Sequence, residues 1–141
     1  MANLNIPNID ELTETFELFD DWEDKYRFLI ELGGKLPPMA DALKNTETKV
    51  EGCTSQVWIV IKPTDDETID FWADSDAHIV RGLIAVIYAI FHGRPLSEAQ
   101  DIDVDGYFER LGLGSHISPN RRNGFFAMVE RIKALSGKQV K

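Results

Sequence analysis

The chain has 141 residues, 43% hydrophobic and 28% charged, which suits a single packed domain rather than a disordered chain. Its net charge of −9, with no clustered basic stretch, argues against nucleic acid or acidic membranes as partners and favours a partner with a basic surface. The single cysteine allows no internal disulfide. The start MANLNIPNIDELTE lacks the basic and apolar segments of a secretory signal. The longest apolar run, GLIAVIYAIF, is about half of the roughly 20 residues a membrane-spanning helix needs. A soluble, cytoplasmic protein without a membrane partner is expected.

Residues 1–8 read as a loose arm. A first helix follows, with Ile9, Leu12, Phe16 and Phe19 on one face. Asp20 or Asp21 caps a second through WEDKYRFLIEL, with Trp22, Tyr26 and Leu29 spaced i, i+4, i+7 and Gly33 and Gly34 as its stop. The two helices are expected to run antiparallel. PPMADALKN leaves room for one helical turn.

The period then changes. SQVWIVIK is rich in β-branched and aromatic residues, and TIDFWAD alternates with period two, so both read as strands. A five-residue turn at 63–67 pairs Lys62 with Thr68, Ile59 with Phe71 and Trp58 with Trp72. The two tryptophans then stack on the face away from the core. A tight turn at 52–55 sets Val50 opposite Val57 and makes a third strand. Asp74 and Ser75 are N-cap candidates for a buried helix over 76–91, ended by His92 and Gly93. Ser97 with Gln100 has capping-box spacing for a short helix. VDGYFERLGL makes another, stopped by Gly112 and Gly114. Ser118 with Pro119 starts the last helix, with Phe125, Met128, Val129 and Ile132 on its buried face. Residues 136–141 read as a frayed tail. The fold class is α+β: a three-stranded antiparallel sheet packed with several helices, in one domain spanning 1–141.

Cys53 lies in VEGCTSQVW, at the predicted tip between two strands. A lone cysteine is commonly a small buried hydrophobe. Its place beside Gly52 fits neither a strand's alternation nor a helix's repeat, and suits a thiol presented to another surface. From the residues alone both readings stand. Solitude excludes a CxxC oxidoreductase, and one thiol is too few for an iron–sulfur scaffold. It suits persulfide carriage, because a second thiol would attack the persulfide and close a disulfide. His78, His92 and His116 have no metal-ligand spacing, and no Gly-rich phosphate loop occurs. His116 or His78 could serve a Cys–His hydrolase as base, a less favoured reading.

Four stretches in order, WEDKYRFLIELGGKLP, EGCTSQVWIV, DSDAHIVRGLIA and SHISPNRRNG, resemble the signatures of the SufE family of sulfur acceptors. The resemblance covers about residues 16–135. Ser118 stands where threonine is common, and Ala73 where glycine is usual. The resemblance implies the α+β fold shared with iron–sulfur scaffold proteins. It implies that Cys53 takes sulfur from the persulfide of a pyridoxal-phosphate-dependent cysteine desulfurase, stimulates that enzyme and delivers sulfur to iron–sulfur scaffold proteins. Gly52, Thr54 and Ser55 are then the binding residues around Cys53. Asp76 and Arg121 support its loop or the partner contact, and His116 is structural. Such a protein needs no cofactor or metal, acts with the desulfurase rather than alone, and is a monomer or weak homodimer. The competing reading is a regulatory binding module in which Cys53 is an incidental buried thiol.

Overall fold

The computed structural model describes residues 6–50 and 56–139. Asn8 opens α1 (Ile9–Glu17), its Oδ1 accepting the Glu11 N–H at 2.9 Å. Asp21 opens α2 (Trp22–Gly33) by accepting from the Asp24 N–H at 3.0 Å. In both, a side-chain oxygen satisfies a backbone donor that the first helical turn leaves free. Ile9, Leu12 and Phe16 of α1 are buried, as their spacing predicts. The buried face of α2 is different: it carries Leu29, Leu32 and Gly33, while Tyr26 is 40% exposed. The reason is a backbone contact with α3 (His78–Phe91). A Cβ on Gly33 would sit 2.8 Å from the Gly82 nitrogen, and one on Gly82 would overlap the Leu29 carbonyl. Two glycines thus bring the helices together and rotate α2 away from Tyr26.

Helix α3 is the centre of the fold, buried along nearly its whole length. Strands β1 (Val57–Ile61) and β2 (Phe71–Ser75) form an antiparallel pair. Ile59, Phe71 and Ala73 face the core, while Trp58 and Trp72 lie on the other face, half-buried. That alternation follows the predicted faces. The register does not: Trp58 lies opposite Asp74, and Trp72 opposite Val60. The predicted tryptophan pair is therefore absent. The turn explains the two-residue difference. The ladder continues past the strands, with Lys62 N–H to Asp70 O at 2.7 Å and Thr64 N–H to Thr68 O at 3.1 Å. Only 65–67 remain for the tip, closed by Glu67 in the left-handed region at φ 60°.

The predicted third strand is reduced to one bridge, Lys49 opposite Trp58. Among the described residues the sheet has two strands. Upstream, 45–48 turn instead of extending: Asn45 Oδ1 accepts the N–H of Glu47 at 2.9 Å and of Thr48 at 3.1 Å. Asp74 and Ser75 do not cap α3. Both belong to β2, and the cap position is Ala77, whose N–H reaches Ser75 Oγ at 3.2 Å.

After α3, residues Leu96–Asp101 form a 3-10 helix behind Pro95. Ser97 makes no cap there, and Gln100 reaches the Lys133 carbonyl at 2.7 Å instead. Helix α4 (Val104–Arg110) is capped by Asp103, and Gly112 at φ 73° follows it. Helix α5 (Pro119–Gln139) starts as predicted, Ser118 Oγ accepting the Arg121 N–H at 3.2 Å. Phe125, Met128, Val129 and Ile132 are buried. The expected fraying from 136 is not seen up to Gln139. Ser136 lies four residues beyond Ile132, on the same stripe, and is fully buried. Among the described residues no helix is long and apolar enough to cross a membrane.

Candidate functional site

Cys53, Gly52, Thr54 and Ser55 lie outside the described residues. Both flanks of the 51–55 segment are described, and both are tied down. Upstream, the Ile59 N–H donates to Thr48 O at 2.9 Å and the Val50 N–H to Val57 O at 2.8 Å. Val50 is buried. On the opposite edge, Arg131 of α5 donates from Nη1 to the Lys49 carbonyl at 3.3 Å and from Nη2 to the Glu47 carbonyl. Downstream, Gln56 and Asp76 bond reciprocally. The Gln56 N–H donates to Asp76 Oδ1 at 3.2 Å, and the Asp76 N–H to the Gln56 carbonyl at 3.3 Å.

Next to this flank stands a charged group centred on Asp74. Lys44 Nζ lies 2.9 Å from Oδ2 and Arg81 Nε 3.2 Å from Oδ1. Lys44 also sits over the Trp58 ring, 5.4 Å from its centroid. Its hydrogen bond to Asp74 holds the ammonium above its ordinary value near 10.5. The charges of Asp74 and Asp41 add to this, and desolvation opposes it. The group ties the 3-10 turn at Asp41–Leu43 to the corner between β2 and α3. It offers no nucleophile.

Arg121, in the first turn of α5, keeps Nη1 out of solvent with no hydrogen-bond partner among the described residues. Such a donor is costly to bury unpaired, so it is a group available to a ligand or partner. No ion pair joins Arg121 to Asp76 among the described residues. His116 stacks on Trp22, ring centroids 4.7 Å apart and 11° between planes, which suits a structural role. His92 follows α3, stacks on Tyr88 at 4.5 Å and approaches Asp70 at 3.7 Å. Burial, with help from Asp70, pushes the Tyr88 hydroxyl well above its ordinary value of 10. Among the described residues no group of His, Cys, Asp and Glu could hold a metal ion. A surface cleft of about 280 Å³ walled by Arg94, Asp103, Tyr107 and Arg110 contains none of the residues flanking 51–55.

The structure thus sets Asp76 against the downstream flank and leaves Arg121 with a spare donor. Two further side chains near the flanks, Arg131 and Lys44, are not singled out by the sequence reading. Arg131 had a legible signal: it lies three residues after Met128 and one before Ile132, beside the apolar stripe of its helix.

Residues 10–136 match the family described as SufE: Fe-S metabolism associated domain. This chain belongs to the SufE family. It is 45% identical over 130 residues to an uncharacterized SufE-like protein of Rhizobium meliloti (strain 1021), covering 90% of this chain and 93% of the relative. Another uncharacterized SufE-like protein, of Rhizobium etli, is 43% identical over 133 residues, covering 92% and 90%. A solution structure of a hypothetical protein from Thermus thermophilus superposes with a TM-score of 0.75 over 92% of this chain and 93% of that one. At 17% identity that likeness speaks for the fold alone. The SufE fold here is α+β, with a two-stranded sheet among the described residues and helices providing most of the core.

Proposed function

We propose that this SufE-family protein accepts sulfur on Cys53 from a pyridoxal-phosphate-dependent cysteine desulfurase, stimulates that enzyme and passes the sulfur to iron–sulfur scaffold proteins. The Cys53 thiolate attacks the outer sulfur of the donor's persulfide. A Cys53–sulfur bond forms as the donor's sulfur–sulfur bond breaks, and the donor cysteine leaves as a thiolate that takes up the proton Cys53 lost. No net oxidation or reduction occurs. The pyridoxal phosphate belongs to the donor enzyme, and this chain brings no cofactor.

The observation that carries this reading is the double anchoring of the 51–55 segment. A thiol that enters another protein's active site must be presented in a defined place, because near-attack geometry supplies much of the rate. Val50 on β1 and Gln56 on Asp76 hold the two ends. In this reading Asp76 is a positioning residue and acts neither as acid nor as base. Arg121 offers its unpartnered Nη1 to the segment or to the docked enzyme. Gly52, Thr54 and Ser55 shape the immediate surroundings of the sulfur. The protein works in the cytoplasm as a monomer or weak homodimer.

Intact-mass analysis after incubation with a cysteine desulfurase and free cysteine tests this. The wild type should gain one sulfur atom that a thiol reductant removes, and Cys53→Ser should gain none. A wild type that stays unmodified beside a demonstrably persulfidated desulfurase would refute the carrier role. Persistent stimulation by Cys53→Ser would then point to a regulatory module.

A further inference from the structure

Sulfur transfer through Cys53 needs the chain entering its segment to be fixed, and among the described residues β1 is the one strand that pairs with that chain. The Thr48 carbonyl and Val50 N–H turn toward β1. The carbonyls of Glu47, in the turn, and of Lys49 receive no backbone donor from β1 and need donors from elsewhere. Arg131 supplies them: one guanidinium reaches both carbonyls. Its planar fork can serve two acceptors at once, which a lysine's compact ammonium does less well. The root of this side chain is set in a packed stretch of helix. Met128, Val129 and Ile132 around it are buried, and the next turn is held by Gln100 on the Lys133 carbonyl and Lys133 Nζ on the Ile102 carbonyl at 3.3 Å.

We infer that Arg131 is a positioning residue for sulfur transfer: from α5 it clamps the carbonyls of Glu47 and Lys49 and so fixes the chain leading to Cys53. This rests on the reading of Cys53 as the sulfur acceptor. Asp76 fixes the downstream end from the β2–α3 corner, so two independent parts of the fold define the segment's ends.

The test uses the full chain with Arg131→Met, which keeps an apolar stem and removes both bonds, and Arg131→Lys, which keeps the charge and at most part of the bonding. Four quantities are measured: kcat and KM for sulfur loading from the desulfurase, the rate at which a bulky thiol reagent modifies Cys53 in the protein alone, and the urea midpoint. Arg131→Met should lower kcat about tenfold with KM for the acceptor little changed, because presentation rather than docking is impaired. Its thiol-reagent rate should change about threefold or more, since the segment loses one anchor. Arg131→Lys should fall between. A lower urea midpoint with unchanged kcat and thiol reactivity in both variants would overturn the inference and leave Arg131 a plain structural tie. If the wild type takes up no sulfur, the acceptor reading fails. The thiol-reagent rates then decide by themselves whether Arg131 holds the segment. Should Arg131→Met not fold, the same readouts on Arg131→Lys decide the question.

Discussion

Replacing Gly82 with alanine should destabilise the protein by about 2 kcal/mol, although alanine is the better helix former. Intrinsic propensity favours the substitution by about 1 kcal/mol in a helix interior. Packing opposes it more strongly. The new Cβ would overlap the Leu29 carbonyl oxygen and lie 2.7 Å from its carbon and 3.1 Å from Leu29 Cβ. Backbone cannot rotate aside as a side chain can, so α2 and α3 must separate by roughly 0.7 Å to restore ordinary contact. A gap of that size forfeits about a quarter to a half of the dispersion energy of each contact it opens. Overpacking of this kind costs about 1–3 kcal/mol, and a clash with backbone belongs at the top of that range. Thermal unfolding followed by circular dichroism should show a fall in Tm of about 6 °C for a chain of this size. Gly34→Ala is the control. Its Cβ would meet the Glu31 carbonyl oxygen at 3.3 Å and the Ile30 carbonyl oxygen at 4.0 Å, from an exposed position with ordinary helical angles. A Gly82→Ala protein as stable as the wild type would refute the close-contact argument and leave the glycine in VRGLIA without a packing explanation.

Ser136→Ala should raise the urea midpoint, by about 1 kcal/mol of stability, because the fully buried Ser136 hydroxyl has no hydrogen-bond partner among the described residues. A lowered midpoint would mean that the hydroxyl is satisfied in solution. Lys44 predicts an alkaline limb in the pH–stability curve. Its folded value lies above its ordinary value near 10.5, so its contribution is complete below that value and is lost as pH rises through the folded one. Tyr88, also raised, loses its contribution in the same direction, so the comparison is made in a Tyr88→Phe background. There Lys44→Met should flatten the remaining alkaline fall in the urea midpoint, and an unchanged fall would show that the pairing with Asp74 has no energetic weight.

What the residues disclose and conceal follows from how local each feature is. The caps at Asp21 and Ser118 depend on a few neighbouring residues and are legible. Strand faces are legible too, since alternation fixes which side Ile59 and Trp58 take. The register is not, because it depends on where the turn closes. Thr64 and Thr68 extend the ladder and join through their hydroxyls at 2.6 Å, a preference invisible in a hydrophobic pattern. The third strand fails for a related reason: Asn45 offers the backbone a turn in competition with extension. Around the candidate site, Asp76 stood out through the family signature. Asp74, slightly earlier in the same stretch, reads as a cap until the ladder places it between Lys44 and Arg81. Arg131 is 82 residues from the carbonyl of Lys49 that it serves, and no local window joins them.

The hairpin has two unlike ends. One meets the chain that carries Cys53, and the other is the solvent-exposed tip at 65–67. Roughly seven residues of ladder separate Val57 from Thr64, about 23 Å at the rise of an extended strand. A fluorophore or surface tether on Asp66 would therefore stand well clear of Val57 and the chain before it while riding on the same pair of strands. The fold thus comes with a natural attachment point for watching a partner arrive.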